Sequence, residues 1–151
     1  MRKILKPLFI CLIIISSCKL QTDKSSINLE GTWQLLQGIT VTKGDSAFTD
    51  YTSHQRMIKI INGTHFAFLK HDINTAKDSS LHFDAGGGTY ELSGNNYTEH
   101  LDFYNDRNWE GKSFSFTISV SGDTLVQKGM EKVEGEGIDR EIIEKYARVK
   151  P

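Results

Sequence analysis

Proline and usable cysteine are what this chain has least of. Its 151 residues include two prolines and two cysteines. So little proline excludes polyproline segments and Pro-rich linkers. Cys11 lies inside an N-terminal apolar stretch and Cys18 just after it, so the remaining chain has no disulfide framework. The apolar stretch, Leu8 to Ile15, is eight residues long, too short for a permanent membrane-spanning helix. No G-x-S-x-G, Walker loop or Rossmann fingerprint is present. The five histidines, His54, His65, His71, His82 and His100, lack the close spacing of a zinc site on one element. No metal and no cofactor are expected. No internal repeat or low-complexity tract is visible.

What is present suits one β domain. Glycine is abundant at 13, and aromatic residues at 10% are enough for a core. The start, however, reads as an address. Arg2, Lys3 and Lys6 precede the apolar stretch, and Ile15-Ser16-Ser17-Cys18 follows it. This resembles the lipobox of bacterial lipoproteins, which implies cleavage before Cys18 and acylation of its thiol. Acylation also accounts for a lone cysteine in an oxidising compartment. Residues 1–17 are thus expected to be a signal peptide, 18–28 a lipidated cysteine with a flexible tether, and 29–151 the folded domain. Acyl chains contribute about 0.8 kcal/mol per buried CH₂, enough to hold a protein at a membrane when two or more are present. Lys19 rather than Asp follows Cys18; by resemblance to lipoproteins of two-membrane bacteria this implies the outer membrane, facing the periplasm. Without residues 1–17 the chain keeps fifteen basic and nineteen acidic side chains, a net charge of −4. That mild acidity argues against nucleic acid as a partner.

The organising stretch is Ala85 to Tyr104. Gly94-Asn95 suits a two-residue hairpin turn, because both residues tolerate positive φ. The register that follows sets Leu92 opposite Tyr97, Tyr90 opposite Glu99 and Gly88 opposite Leu101. Gly88, Tyr90, Leu92, Tyr97, Glu99, Leu101 and Phe103 then share an inner face; Thr89, Glu91, Ser93, Thr98, His100 and Asp102 face water. Gly86-Gly87-Gly88 enters a strand, not a helix. It reads as a turn or bulge rather than a phosphate cradle.

Around this hairpin the alternation predicts further strands. Glu30 to Val41 is the first, with Trp33 and Leu35 on one face. Lys43 to Ser53 reads as a polar loop. Arg56–Ile61 and Thr64–Lys70 form a hairpin around Asn62-Gly63, apolar on both faces, so it is either covered twice or exposes a patch. His71 to Ser80 reads as a loop and Leu81-His82-Phe83 as a short strand. Asn105 to Gly111 is a loop carrying Trp109. Lys112 to Val120 puts Phe114, Phe116, Ile118 and Val120 on one side, and Thr124 to Lys128 returns beside it. Glu131 to Glu136 is an acidic loop. A helical turn near Ile138–Glu141 and a closing strand of about six residues end the domain. Eight or nine antiparallel strands in sequence predict an all-β, up-and-down barrel; an open β-sandwich is the alternative.

Three features together give a resemblance. Gly31-Thr32-Trp33 is similar to the G-x-W signature of lipocalins, and Arg148 sits where lipocalins place an arginine over that tryptophan. The runs Gly86-Gly87-Gly88-Thr89-Tyr90, Tyr97-Thr98-Glu99 and Gly122-Asp123-Thr124-Leu125 resemble a lipocalin-like domain of lipoproteins from Bacteroidetes-type bacteria. The resemblance covers roughly Leu29 to Lys150. It implies an eight- or nine-stranded barrel closed at its base by Trp33 and Arg148, and a ligand inside. The chain departs from animal lipocalins in being shorter, without a long helix after the eighth strand and without a loop disulfide.

The residues expected around such a ligand are Glu99, Tyr90, Tyr97, Leu101, Phe103, Phe116 and Arg56. A carboxylate on a core face must be paired, hydrated or neutral. Glu99 is therefore either a structural partner for Arg56 or Lys59, or a group that orients a ligand. The expected function is a lipid-anchored envelope protein binding a small, largely apolar ligand, and not an enzyme. Two alternatives stay open: an envelope interaction module with a filled barrel, and an enzyme using Glu99 as acid or base.

Overall fold

The computed structural model describes residues 27–73 and 82–150. The expected signal peptide, Cys18, most of the tether and Leu81 lie outside the described residues. Nine strands follow in chain order: β1 (Gly31–Thr42), β2 (Asp45–Asp50), β3 (Gln55–Ile61), β4 (His65–Asp72), β5 (Phe83–Ser93), β6 (Asn96–Tyr104), β7 (Lys112–Ser121), β8 (Thr124–Val133) and β9 (Ile138–Arg148). From β3 to β9 each strand pairs antiparallel with the next, β3 also pairs with β1, and β9 returns to β1. The result is a closed, eight-stranded up-and-down barrel with one extra strand, not a sandwich. Closure leaves no open edge in the main wall.

The extra strand overturns the loop expected at Lys43–Ser53. Lys43 and Gly44 both take positive φ, 53° and 93°, and turn the chain back so that β2 pairs with Gln37–Thr42. β3 pairs with Gly31–Gln34 on the same edge of β1, the edge away from β9. β2 and β3 therefore lie end to end along β1. β2 is almost wholly exposed, so it lacks the alternation that would have revealed it; backbone pairing holds it.

The chain end also differs from expectation. The turn is a 3-10 turn at Glu134–Glu136, closed by Gly137 at φ 65°, and not a helical turn at Ile138–Glu141. β8 runs on to Val133, and β9 spans eleven residues. β9 is hydrogen-bonded on both sides, from Ile138 opposite Val133 to Arg148 opposite Trp33. Two ladders override the helical spacing of Ile142, Ile143 and Tyr146.

The central hairpin has the predicted register: Leu92 faces Tyr97, Tyr90 faces Glu99, and Gly88 faces Leu101. A bulge then interrupts it, because Gly87 pairs with Phe103 and Asp102 is left over. The glycines make the bulge possible. A Cβ on Gly88 would lie 1.9 Å from the His100 carbonyl oxygen, and one on Gly86 would meet the Phe68 ring at 2.7 Å. The extra residue shifts the alternation. Phe103, expected inside, points out and is 69% exposed, while Tyr104 turns in.

The barrel has two unlike ends. The Asn62-Gly63, Gly94-Asn95 and Gly122 turns and both ends of the described domain gather at one of them. There Trp33, Leu35, Tyr97, Leu125 and Tyr146 are almost completely buried and fill the interior. Trp33 donates its indole N–H to the Leu29 carbonyl at 2.8 Å. The opposite end carries the longer connections and a cavity.

Candidate ligand cavity

The cavity has a volume of about 180 Å³ and occupies the open half of the barrel. Its floor is set by four residues on four strands. Lys59 on β3 points inward because Met57, Lys59 and Ile61 form the inner face of that strand, leaving Ile58 and Ile60 outside. Its ammonium donates to Glu99 Oε1 at 2.6 Å and to Gln127 Oε1 at 3.1 Å. Aromatic rings of Phe66, Tyr97 and Tyr146 surround that ammonium at 5.6–5.9 Å. Glu144 on β9 pairs with Gln127 across the ladder and with Gly38 on its other side. Its Oε2 accepts the Tyr146 hydroxyl at 2.5 Å.

The buried tyrosines hold their protons firmly. Burial pushes the Tyr146 hydroxyl well above its usual value, with the Glu144 charge adding to it. Burial likewise raises Tyr97, and the nearby Glu99 charge reinforces it. The Tyr97 hydroxyl faces Glu99 without reaching hydrogen-bonding geometry. Burial also raises the Glu144 carboxyl, because attraction to Lys59 and the Tyr146 bond only partly offset it.

Above the floor lie two more ion pairs. Lys70 meets Asp84 at 2.6 Å, and Arg140 meets Glu131 through Nη2 at 2.6 Å and Nε at 2.7 Å. Burial pushes Asp84 up, but the Lys70 bond and charge outweigh it and hold the carboxyl below its usual value. The Asn105–Gly111 loop folds inward over this layer. Trp109 packs on Phe114 at 5.5 Å and on Tyr104 at 6.1 Å, with the Arg140 guanidinium 5.9 Å from its ring. The loop is tied down by Gly111 donating to the Leu101 carbonyl and Tyr104 donating to Glu110.

The expected site residues divide into groups. Glu99, Leu101 and Phe116 line the cavity. Tyr97 lies beneath it as part of the floor. Tyr90 sits at the closed end, where its hydroxyl donates to the Asn62 carbonyl at 2.8 Å. Phe103 and Arg56 are both exposed on the outer side, away from the cavity. The partner of Glu99 is Lys59, not Arg56. Alternation alone left the face of that hairpin undecided, since both sides are apolar. Gln127, Glu131, Arg140, Glu144, Lys70, Asp84 and Tyr51 were not foreseen. All but Tyr51 are inward polar groups on strands whose neighbours also include polar residues, so period-two reading had no contrast to detect; Tyr51 lies in the connection between β2 and β3, where no alternation applies. Among the described residues, no three His, Cys, Asp or Glu side chains gather as a metal site, and no helix is long and apolar enough to cross a membrane.

At the closed end, Arg148 Cζ stands 4.0 Å from the centre of the Trp33 ring. A closed up-and-down antiparallel barrel, plugged by the tryptophan of a G-x-W motif under an arginine from the last strand, has a lipocalin-like fold. Two solved structures are similar to it. One is a lipocalin-like protein from Bacteroides uniformis ATCC 8492, 21% identical, aligned over 80% of this chain and 98% of its own with a TM-score of 0.47. The other is an uncharacterized protein from Bacteroides eggerthii DSM 20697, 12% identical, with the same coverage and TM-score. No protein-family model matches the chain, and no curated protein matches it.

Proposed function

We propose that this protein is a lipid-anchored binding protein of the bacterial cell envelope that holds a small ligand in the open half of its barrel. The observation that supports this reading is the contrast between the two ends. The closed end is filled to the level of Tyr97 and Tyr146, while the open end keeps a cavity of about 180 Å³ beneath an aromatic loop. Natural interiors leave few voids larger than a water molecule. An interior of this size lined by both rings and charges is a feature of binding sites. It is smaller than the roughly 300–1,000 Å³ that drug-sized ligands occupy, so the ligand is small. The expected apolar character holds for part of the lining only: Met57, Phe68, Leu101, Phe114 and Ile142 are interleaved with charged groups. The ligand is therefore amphipathic. Acylation at Cys18 and an outer-membrane, periplasm-facing position complete the reading. Native mass spectrometry of the protein extracted from its own envelope tests it. A co-released small molecule, lost when the cavity is blocked by Ile142→Trp, is expected; a mass equal to the acylated polypeptide alone counts against it.

A second reading rests on the outer surface. Ile60, Ala67, Gly87 and Phe103 are neighbours across β3, β4, β5 and β6, with Ile58, Leu69 and Ala85 in the adjacent row. Ile60, Leu69 and Phe103 are exposed. Such a contiguous stripe suits docking on another envelope protein. Loss of a crosslinked partner on Phe103→Ser, with the barrel intact, is the expected result.

A further inference from the structure

We infer that the cavity takes a small organic cation, a protonated amine on an apolar or aromatic body, with Glu144 as its counter-ion. This rests on the reading of the barrel as a ligand-binding cavity and adds the chemical class of the ligand.

The first argument is a count of charges. Among the described residues the lining contains three cations, Lys59, Lys70 and Arg140, and four carboxylates, Asp84, Glu99, Glu131 and Glu144. Each cation is committed to one carboxylate at 2.6 Å: Lys59 to Glu99, Lys70 to Asp84, Arg140 to Glu131. Glu144 is the fourth. Among the described residues no cation stands within 4 Å of it, and its bond is to the neutral Tyr146 hydroxyl. Lys59 attracts it from a distance, but that ammonium is already directed at Glu99 and Gln127. A surplus carboxylate facing this space is costly unless it takes up a proton or a positive charge joins it, and a protonated amine brings both the charge and a hydrogen-bond donor. A neutral ligand would leave the cost in place, and an anionic ligand would raise it.

The second argument is what stands beside Glu144. Its cross-strand neighbour on β1 is Gly38. The absent side chain there is replaced by the ring of Tyr51, which would lie 3.1 Å from a Cβ at that position. Tyr51 is carried over by the break between β2 and β3, where its N–H donates to the Leu36 carbonyl at 2.9 Å. One corner of the cavity therefore offers a carboxylate and an aromatic ring together. Phe68, Tyr104, Trp109 and Phe114 supply further rings around the same space. Aromatic faces attract ammonium groups and also cover apolar carbon.

The third argument is size. A cavity of about 150 Å³ accepts benzene. About 180 Å³ leaves room for one ring and a short amine arm.

The test uses the full acylated protein in lipid nanodiscs, with empty nanodiscs as the blank for partitioning. Phenethylamine, 2-phenylethanol and phenylacetate are titrated calorimetrically at neutral pH. Phenethylamine is expected to bind at least tenfold more tightly than the alcohol, with the carboxylate weakest. Glu144→Gln should bring the amine down to the level of the alcohol and leave the alcohol unchanged. Should that variant not fold, the order among the three probes on the wild type decides. An alcohol that binds as tightly as the amine overturns the cation inference and leaves the ligand-binding reading standing. Preference for phenylacetate, or amine preference retained in Glu144→Gln, overturns it likewise. If none of the three binds, the inference falls; the broader reading then stands or falls with native mass spectrometry.

Discussion

The Lys59 ammonium lies 2.6 Å from the Glu99 carboxylate, and both side chains are almost fully enclosed by the barrel. Neither could be held alone. Breaking a buried pair by removing one partner costs about 3–5 kcal/mol, because the remaining charge is stranded. Glu99→Gln and Glu99→Leu should therefore both lower stability in urea by that order, with or without ligand. The double variant Lys59→Met/Glu99→Leu should recover most of the loss, since an apolar pair of similar volume removes both charges. A Glu99→Leu protein as stable as wild type would show that the pair contributes little.

Trp33 and Arg148 form the second relationship that the fold depends on. The guanidinium covers the ring at 4.0 Å, and its two nitrogens donate to the Glu30 and Asn28 carbonyls at 2.6 and 2.8 Å. It thereby pins the start of the domain to its last strand. Arg148→Ala should cost roughly 1–2 kcal/mol, since the cation–π contact and both hydrogen bonds are lost but the bonds are exposed to solvent. Tryptophan emission should shift with it, measured in a Trp109→Phe background so that Trp33 alone reports. Gly31→Ala should do similar damage. Gly31 has φ 131°, and a Cβ there would stand 2.7 Å from Arg148 Nη1. Unchanged stability in both variants would separate the contact from the fold.

These two relationships were not equally legible in the sequence. Gly31 and Trp33 sit in a G-x-W motif, and the resemblance to lipocalins, not spacing, pointed to Arg148 as the arginine over that ring. The Gly94-Asn95 turn likewise set the register out to Leu101, because a two-residue turn leaves the flanking strands no choice. Legibility stopped where the chain departs from period two. One extra residue at Asp102 sends Phe103 outside and Tyr104 inside. The Gly86-Gly87-Gly88 run announced a bulge but not its phase. The cavity was less legible still. Arg140, Glu131, Gln127 and Glu144 point inward on β8 and β9, and a polar residue facing a cavity looks in sequence like a polar residue facing water. β9 itself was partly concealed, since Ile142, Ile143 and Tyr146 also fit a helix. The expectation that Glu99 lies on the inner face came from register, and the identity of its partner required the fold.

The membrane anchor can be tested apart from the barrel. If Cys18 is acylated, Cys18→Ala should leave an unlipidated precursor that stays in the aqueous phase when detergent solution is warmed to phase separation. The wild type should enter the detergent phase, since two or more acyl chains give stable partition. Equal partition of both proteins would remove the lipobox reading.

The pH dependence of the empty barrel tests the Glu144 environment without any ligand. In the unfolded chain this carboxyl titrates at its ordinary value. In the folded barrel burial raises it, against the partial opposition of Lys59 and the Tyr146 hydroxyl; the charges of Glu131 and Glu99 add to the rise. The folded state thus holds the proton more tightly than the unfolded state. Stability from this group is fully present below the ordinary carboxylate value and is lost as pH rises through the raised one. Above the ordinary carboxylate value Glu144 is therefore a liability in the empty protein. Glu144→Gln keeps the acceptor for Tyr146 and removes the charge. It should stabilise the ligand-free protein at neutral pH by about 0.5–2 kcal/mol, the range commonly gained from single stabilising substitutions. The advantage should shrink as pH falls through the raised value and vanish below the ordinary one. Lys59, Glu99, Glu131 and Tyr146 face the same space and feel the Glu144 charge. Denaturant unfolding of the two proteins at stepped pH measures that difference. A variant less stable than wild type at neutral pH, with a deficit that narrows on acidification, would mean that the Glu144 side chain is already compensated in the empty barrel. Adding phenethylamine at neutral pH should stabilise the wild type more than it stabilises Glu144→Gln, narrowing the variant's advantage.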